Sequence, residues 1–303
     1  MIAVLLLAYG GPLSLDDVEP YLLDVRHGRP VSREFLDEVR ERYRLIGGRS
    51  PLLEITRRQA KALERRLNLE RQNYKTFVGM RHWHPYIREA IQEIAAAEIK
   101  KAVALCMAPH FSAMSIGAYM KQTETARQAV YPEMALRFVQ SWHLQPAYIR
   151  ACAGSLAQSI AAMGGDDKLA VLFTAHSLPK RILSEGDPYP EQLRATVTAV
   201  CEIVKPKAAF FAYQSRAQSS EEWLGPDAGE EIPRLRAAGF EKLIIHPIGF
   251  VADHVEILYD GDILYRRQAE GLGFQFARVA SCNDRPEFIE ALSQVVLAQV
   301  KGW

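Results

Sequence analysis

Short apolar runs alternate along the chain with longer stretches in which apolar residues recur every three or four positions. The runs are rich in Val, Ile, Leu and Phe and nearly continuous, which is typical of parallel strands covered by helices on both faces. They lie at 2–8, 74–79, 102–108, 135–140, 169–175, 207–213, 243–251 and 274–279. Helical periodicity predicts helices near 33–45, 53–68, 86–98, 115–130, 146–163, 190–204, 229–238 and 285–300. This alternation predicts an α/β fold with doubly wound parallel sheets.

Two of the apolar runs resemble each other. AVLLLAYGGP at 3–12 and AVLFTAHSLP at 170–179 are both strand-like segments that run into a turn ending in Pro. We therefore predict two similar Rossmann-like domains, residues 1–164 and 165–303, joined at the Gly-Gly-Asp-Asp segment 164–167. The length of 303 residues agrees with two domains. The prediction allows the C-terminal helix to pack back on the N-terminal domain.

Composition narrows the class of protein. Hydrophobic residues make up 49% and charged residues 24% of the chain, and the net charge of +1 gives no reason to expect a nucleic-acid partner. No window approaches the 18 or so uninterrupted apolar residues of a spanning helix, and the N-terminal run reads as a strand rather than a signal peptide. The cysteines, which form no C-x-x-C pair, are Cys106, Cys152, Cys201 and Cys282. We expect free thiols, a reducing cytoplasm and no iron–sulfur cluster.

Histidines concentrate just beyond the predicted strands, where ligands bind in open α/β sheets. Six of the eight histidines occupy such positions: His82, His84, His110, His143, His176 and His254. No G-x-G-x-x-G or P-loop motif follows a strand, which disfavours nucleotide chemistry. Imidazole with carboxylate suits a divalent metal or proton transfer near neutral pH, and the neighbouring aromatic residues suit a flat apolar ligand.

Each of these residues also has a purely structural interpretation. A single histidine at a strand end is most often a hydrogen-bonded structural residue, and His246 lies inside an apolar run. Asp253 and Glu256 are spaced as the N-cap and third residue of an ordinary helix. Position alone does not separate the two interpretations.

The combination of motifs resembles the ferrochelatase family. The two strongest matches are the segments TAHSLP (174–179) and GFVADHVEILYD (249–260). Further matches follow in family order: AYGGP (8–12), RY with IGGRSPL (42–52), APHFS (108–112), GDPYP (186–190), QS (214–215) and WLGPD (223–227). The resemblance spans nearly the whole chain. It implies two chelatase-type Rossmann-like domains with a porphyrin cleft between them, and ferrous iron as a substrate rather than a tightly bound cofactor.

The resemblance also implies the catalytic residues. His176 takes the place of the family's active-site histidine, Glu256 that of the facing glutamate, and Tyr9 lies where coproporphyrin-type bacterial members have tyrosine. A base must remove the pyrrole protons and a donor must guide Fe²⁺, and either side chain suits either task. We expect His176, Glu256 and Asp260 to contact the metal, with Asp262 continuing the proton or metal path.

The porphyrin carboxylates need cations and hydroxyls. The resemblance implies that they are bound by Arg26, Arg42, Tyr43, Ser50 and Tyr119, with Arg81 as a further candidate. Two positions depart from the family pattern. His27 replaces the second arginine of a frequent pair, and Leu264 replaces a glutamate, which argues against an outer metal site.

We therefore predict a cytoplasmic ferrochelatase of haem biosynthesis that forms Fe-coproporphyrin from coproporphyrin III. The alternatives are a protoporphyrin IX ferrochelatase, a cobalt or nickel chelatase of the same fold, and a non-catalytic porphyrin carrier. A zinc hydrolase that uses His254 and Glu256 is disfavoured, because no H-E-x-x-H motif occurs. We expect a monomer that contacts a haem acceptor or the next enzyme of the pathway transiently.

Overall fold

The computed structural model describes residues 1–69, 73–216 and 221–303. Its strands form two four-stranded sheets in which all neighbouring strands are parallel. The first sheet contains β1 (Ile2–Ala8), β2 (Tyr74–Met80), β3 (Lys101–Cys106) and β4 (Ala135–Val139). The second contains β5 (Leu169–His176), β6 (Ala209–Gln214), β7 (Lys242–His246) and β8 (Gln275–Arg278).

Helices connect the strands in both sheets. They are α1 (Val18–Val25), α2 (Arg33–Leu45), α3 (Leu52–Asn68), α4 (Ile87–Ala96), α5 (Ile116–Val130), α6 (Pro146–Met163), α7 (Arg181–Ser184), α8 (Tyr189–Val204), α9 (Ala228–Ala237), α10 (Arg266–Gly271) and α11 (Pro286–Gln299). A π-helix (Glu256–Tyr265) precedes α10. None of the helices in the described ranges combines the length and apolar character that crossing a membrane requires.

The two sheets have the same strand order, β2-β1-β3-β4 and β6-β5-β7-β8. The two similar sequence segments therefore form equivalent strands, β1 and β5, and the prediction of two similar Rossmann-like sheets is confirmed. In each sheet the strand order reverses beside this strand. The chain first adds β2 on one side of β1 and then β3 on the other, and it adds β6 and β7 around β5 in the same way. Ligands of open α/β sheets bind at such a reversal, beyond the carboxyl ends of the strands.

The chain divides into two compact units. Unit 1 comprises Met1–Trp142, Ala252–Val255 and Asn283–Trp303, and unit 2 comprises His143–Val251 and Glu256–Cys282. Helix α11 therefore belongs to unit 1, where it packs against α3 and β4. The Arg66 guanidinium on α3 holds the Glu290 carboxylate on α11, with Nε and Oε2 2.6 Å apart. The domain boundary at 164/165 stays a prediction.

Helix α2 shows how local sequence places candidate residues in unit 1. The Ser32 hydroxyl caps its N-terminus by accepting a hydrogen bond from the Phe35 amide over 3.2 Å. Its buried residues, Leu36, Val39 and Tyr43, recur at helical spacing and pack in a cluster with α1. The last turn therefore buries Tyr43 while leaving the neighbouring Arg42 only partly buried.

Three helices, α1, α7 and α10, lie outside the predicted helical stretches. Two further parts of the sequence prediction also differ from the structure. The predicted strand 243–251 ends at His246, because Pro247 has no amide hydrogen with which to continue the ladder. The π-helix was not predicted. Its backbone hydrogen bonds join residues five positions apart, and its apolar positions do not follow the period of an α-helix.

Candidate active site

In unit 2 the last residue of β5 faces the first residue of the π-helix. His176 Nε2 lies 3.5 Å from Glu256 Oε1, and the two side chains are 33% and 31% exposed. The other ring nitrogen, Nδ1, is hydrogen-bonded to the Ser177 carbonyl, an acceptor that requires Nδ1 to carry a proton. The ring is therefore fixed with Nε2 directed toward the glutamate.

The charge state of His176 follows from opposing effects. Burial disfavours the imidazolium and lowers its pKa, but the Glu256 carboxylate, the Ser177 carbonyl and the Asp260 carboxylate all favour it. The charged partners outweigh desolvation and raise the pKa of His176 to about 8. At neutral pH the pair is an imidazolium beside a carboxylate. The two side chains together hold one proton, which can be passed on.

Asp260 lies four residues after Glu256 on the π-helix and is 7% exposed. The Ser215 hydroxyl donates a hydrogen bond of 2.5 Å to Asp260 Oδ2. The amide of Gln214, which ends β6, donates to the Glu256 carbonyl over 3.0 Å. The structure therefore joins three sequence-predicted residues, His176, Glu256 and Asp260, in one cluster that β5, β6 and the π-helix hold together.

The next carboxylate along this helix is already engaged. Asp262 accepts two hydrogen bonds from the Arg278 guanidinium, at 2.7 Å from Nε and 2.8 Å from Nη2. Such a bidentate pair neutralises the carboxylate and fixes it, which suits a structural role better than a metal path. Leu264, in the same helix, is 48% exposed.

In unit 1 three candidate residues gather at the ends of β1 and β2. Tyr9, 40% exposed, packs its ring 4.7 Å from that of His82, and the Arg81 guanidinium lies 5.4 Å from the Tyr119 ring centre. His82 is buried, and its Nδ1 lies 2.7 Å from Asp24 Oδ1. Burial is the largest cause that lowers the pKa of His82, Arg81 and His27 add to it, and Asp24 does not offset them, so this ring is neutral at neutral pH.

Two further candidates of unit 1 surround the turn after β1. A Cβ added to Gly11 would lie 2.7 Å from Ser50 Oγ and 3.7 Å from the Tyr43 hydroxyl, so both oxygens approach this turn closely. Arg26 is exposed at the end of α1. The Arg42 guanidinium lies 2.5 Å from Glu38 Oε1, the neighbour that the sequence spacing indicated.

Three of the remaining strand-end histidines, and His246, have different surroundings. His84 is exposed and pairs with Glu89 at 2.9 Å, while His110 is 2% exposed. His254 Nδ1 lies 3.1 Å from the Ala252 carbonyl oxygen. His246 stacks near Phe173, with ring centres 5.3 Å apart, and burial lowers its pKa to about 3. The structural interpretation of His246 agrees with this burial.

Sequence reasoning gave no catalytic importance to Ser215 or to Asp24. The available signal was the Gln-Ser match at 214–215, because it lies at the end of a strand adjacent to the one that ends at His176. Asp24 lies within α1, 58 positions from His82, and nothing local in the sequence indicates their contact.

The arrangement of donors in unit 2 suits transient handling of a metal. In the described ranges no group of three or more His, Cys, Asp and Glu side chains is arranged to hold a metal ion. His176 Nε2 and Glu256 Oε1 provide one nitrogen and one oxygen donor, a combination suited to a borderline divalent cation that also has ligands elsewhere. Binding a cation there requires the shared proton to leave.

Comparisons with known proteins agree with this chemistry. A sequence model described as Ferrochelatase matches residues 1–300. The ferrochelatase of Herpetosiphon aurantiacus is 39% identical over 300 residues, covering 98% of each chain. The coproporphyrin III ferrochelatase of Oceanobacillus iheyensis is 38% identical over 307 residues, covering 99% of this chain and 97% of that protein.

A solved structure has the same fold at low sequence identity. The sirohydrochlorin chelatase SirB from Bacillus subtilis subspecies spizizenii, in complex with cobalt, superposes with a TM-score of 0.56. It is 11% identical, and the match covers 98% of this chain and 95% of that one. At that identity the likeness shows the fold alone, whereas the full-length sequence matches show that this chain belongs to the ferrochelatase family.

Proposed function

We propose that this protein is a coproporphyrin III ferrochelatase, which inserts Fe²⁺ into coproporphyrin III during haem biosynthesis. The observation that carries the proposal is the His176–Glu256 pair at the carboxyl end of β5. It occurs in a chain that matches its family over residues 1–300. Relatives named coproporphyrin III ferrochelatase, 36–38% identical over nearly their whole length, support the choice of porphyrin.

The chemistry of metallation explains the pair. Two pyrrole protons must leave the porphyrin, and the incoming Fe²⁺ must exchange its water for nitrogen ligands. A protonated His176 can neither accept a pyrrole proton nor bind the metal. Its own proton therefore passes first to Glu256, with which it is in contact, and then outward. The neutral imidazole can then accept a pyrrole proton or hold the metal. Because the pKa of His176 is about 8, insertion should accelerate as the pH rises through that value.

The candidate residues of unit 1 suit the carboxylates of the substrate. Coproporphyrin III carries twice as many carboxylates as protoporphyrin IX, and each must exchange water for a charged or polar partner. Arg26 and Arg42 can offer paired N–H donors, and the Tyr43 and Ser50 hydroxyls lie beside one turn. We assign Arg81 and Tyr119 to the same substrate-binding group, and Tyr9 to the catalytic group that contacts the ring or the metal.

Anaerobic metallation with purified protein tests the proposal. Coproporphyrin III and protoporphyrin IX are offered separately with Fe²⁺, and insertion is followed by absorbance. We expect coproporphyrin III to give the higher kcat/KM, and the His176→Ala variant to lose about 10²- to 10⁴-fold in rate while still binding porphyrin. Wild-type protein that metallates no porphyrin would overturn the proposal, and a preference for protoporphyrin IX would overturn the choice of substrate.

The same assay separates the rival functions. A porphyrin carrier would bind coproporphyrin without metallating it, and His176→Ala would then change nothing. A cobalt or nickel chelatase would act on sirohydrochlorin-like rings in preference to porphyrins. We further propose that the protein is a cytoplasmic monomer without a resident cofactor that passes its product to an acceptor protein by transient contact. Gel filtration and metal analysis of the active protein test the first part.

A further inference from the structure

Ser215 has an unusual backbone conformation for its residue type. It directly follows β6 with φ of +58°, in the left-handed region where residues other than glycine are disfavoured. Glycine would adopt this conformation without strain. A strained residue at the edge of a functional cluster suggests that its side chain has a task, and here the side chain ends in one hydroxyl.

The hydroxyl of Ser215 contacts the acidic face of the π-helix. It donates to Asp260 Oδ2 at 2.5 Å, the short distance of a bond to a charged acceptor. Asp260 is 7% exposed, so little water is available to orient its carboxylate in place of this donor. The Ser215 hydroxyl therefore favours one orientation of the Asp260 carboxylate.

Gln214 connects this contact to the rest of the cluster. It is 1% exposed and lies opposite His176 in the β5–β6 ladder. Its amide donates to the Glu256 carbonyl over 3.0 Å and to the Ser215 hydroxyl over 3.3 Å. One buried residue thus links the strand of the histidine, through its backbone, with the start of the π-helix and the serine, through its side chain.

We propose that Ser215, supported by Gln214, is a positioning residue that orients the Asp260 carboxylate for delivery of the metal ion to the His176–Glu256 pair. The inference rests on the proposed metallation activity. It requires the hydroxyl rather than the left-handed backbone, because the hydroxyl makes the contact with Asp260. The proposed role of Ser215 is therefore to act through the carboxylate and not on the porphyrin or the metal directly.

Two substitutions separate the hydroxyl from the backbone conformation. Ser215→Gly removes the hydroxyl and relieves the strain, so we expect an unchanged or higher Tm together with about a tenfold rise in KM for Zn²⁺, the loss of one charged hydrogen bond. Ser215→Thr keeps the hydroxyl but places a β-branched residue at positive φ. We expect a lower Tm with KM for Zn²⁺ close to that of the wild type. The KM for porphyrin should stay constant in both variants.

Lys205→Gly is the matched control. Lys205 also has a positive φ, +52°, in the same unit, and is exposed after α8. This variant should raise Tm without changing either KM. The inference is overturned if Ser215→Gly keeps the wild-type KM for Zn²⁺, or if Ser215→Thr loses as much as Ser215→Gly. Wild-type protein that inserts no metal would instead overturn the proposed function, so the two failures are distinguishable.

Discussion

Two histidine–carboxylate pairs, one in each unit, reach opposite protonation states. In unit 1 His82 Nδ1 lies 2.7 Å from Asp24, and in unit 2 His176 Nε2 lies 3.5 Å from Glu256. Both histidines lie at the carboxyl ends of strands in sheets of the same topology. Yet the pKa of His82 is lowered and that of His176 is raised to about 8. The closer pair is the one with the neutral ring.

The surroundings of each ring explain the reversal. At His82 burial is the largest effect, and the cationic Arg81 adds to it, so one carboxylate does not compensate. At His176 burial also acts against the charge, but Glu256, Asp260 and the Ser177 carbonyl together exceed it. A neutral His82 that donates to Asp24 is a fixed support for the Tyr9 ring. A charged His176 holds a proton that it can release.

Removing the carboxylate from each pair tests this difference most strongly. Glu256→Gln keeps the shape of the side chain but removes the charge that favours imidazolium, so the pKa of His176 should fall from about 8. The variant also lacks the first acceptor for the proton, and we expect metallation to slow by about 10²- to 10⁴-fold. The measurements are zinc insertion kinetics and NMR titration of the imidazole.

Asp24→Asn is the matched change in unit 1. Because His82 is already neutral, losing the Asp24 charge should leave its protonation at neutral pH unchanged. We expect the effect on metallation to stay within about tenfold, through looser support of Tyr9. If metallation were slower in Asp24→Asn than in Glu256→Gln, the main proton transfer would belong to unit 1 and not, as proposed, to unit 2.

The sequence predicted the strand-end positions of both histidines, but neither the contact of His82 with Asp24 nor the difference between the two pairs. Periodicity placed β1 and α2 at their observed bounds, 2–8 and 33–45, because both elements bury a regular apolar pattern. The strand-end position of His176 and its family motif indicated the candidate site. The sign of a pKa shift depends on burial and on the neighbours of each ring in space, which no spacing along the chain encodes.

The region after β7 shows the same limit. The apolar run 243–251 predicted one long strand, whereas the strand stops at His246 and the chain then turns back over β5. The first helical residue after it is Val255, and the Asp253 carboxylate accepts a hydrogen bond from Asn283 Nδ2 at 2.8 Å. The local spacing suggested a helix cap, but it did not indicate this contact with a residue 30 positions away.

Glycines beside the two sites provide a second, smaller test. A Cβ at Gly249 would lie 2.6 Å from Ala175 Cβ, and one at Gly11 would lie 2.7 Å from Ser50 Cβ. Each Gly→Ala variant should lose about 1–3 kcal/mol in the free energy of unfolding. We expect Gly249→Ala to lower kcat by displacing the chain beside His176, and Gly11→Ala to raise the KM for porphyrin by displacing Ser50. Denaturant unfolding and steady-state kinetics measure both effects.

Gly154→Ala is the control for these two variants. Gly154 lies inside α6, and a Cβ there would meet no atom within 4 Å. The variant should gain about 0.5–1 kcal/mol of stability, because alanine favours the helix, and its kinetics should not change. Equal changes of kcat and KM in Gly249→Ala and Gly11→Ala would contradict the separate roles of the two sites.

The pH dependence of stability is the finest test of the two histidines. The folded-state pKa of His176 is raised, so its contribution to stability is full below about pH 6.5 and disappears as the pH rises through about 8. Linkage gives up to about 2 kcal/mol, and about 1 kcal/mol after solvent screening of a side chain that is 33% exposed.

The folded-state pKa of His82 is lowered, so its contribution is full above about pH 6.5 and falls as the solution becomes more acidic. Unfolding of the wild type, His176→Gln and His82→Gln at about pH 5.5, 7 and 9 should give difference curves of opposite slope. Parallel slopes would mean that the two rings share one protonation state in the folded protein.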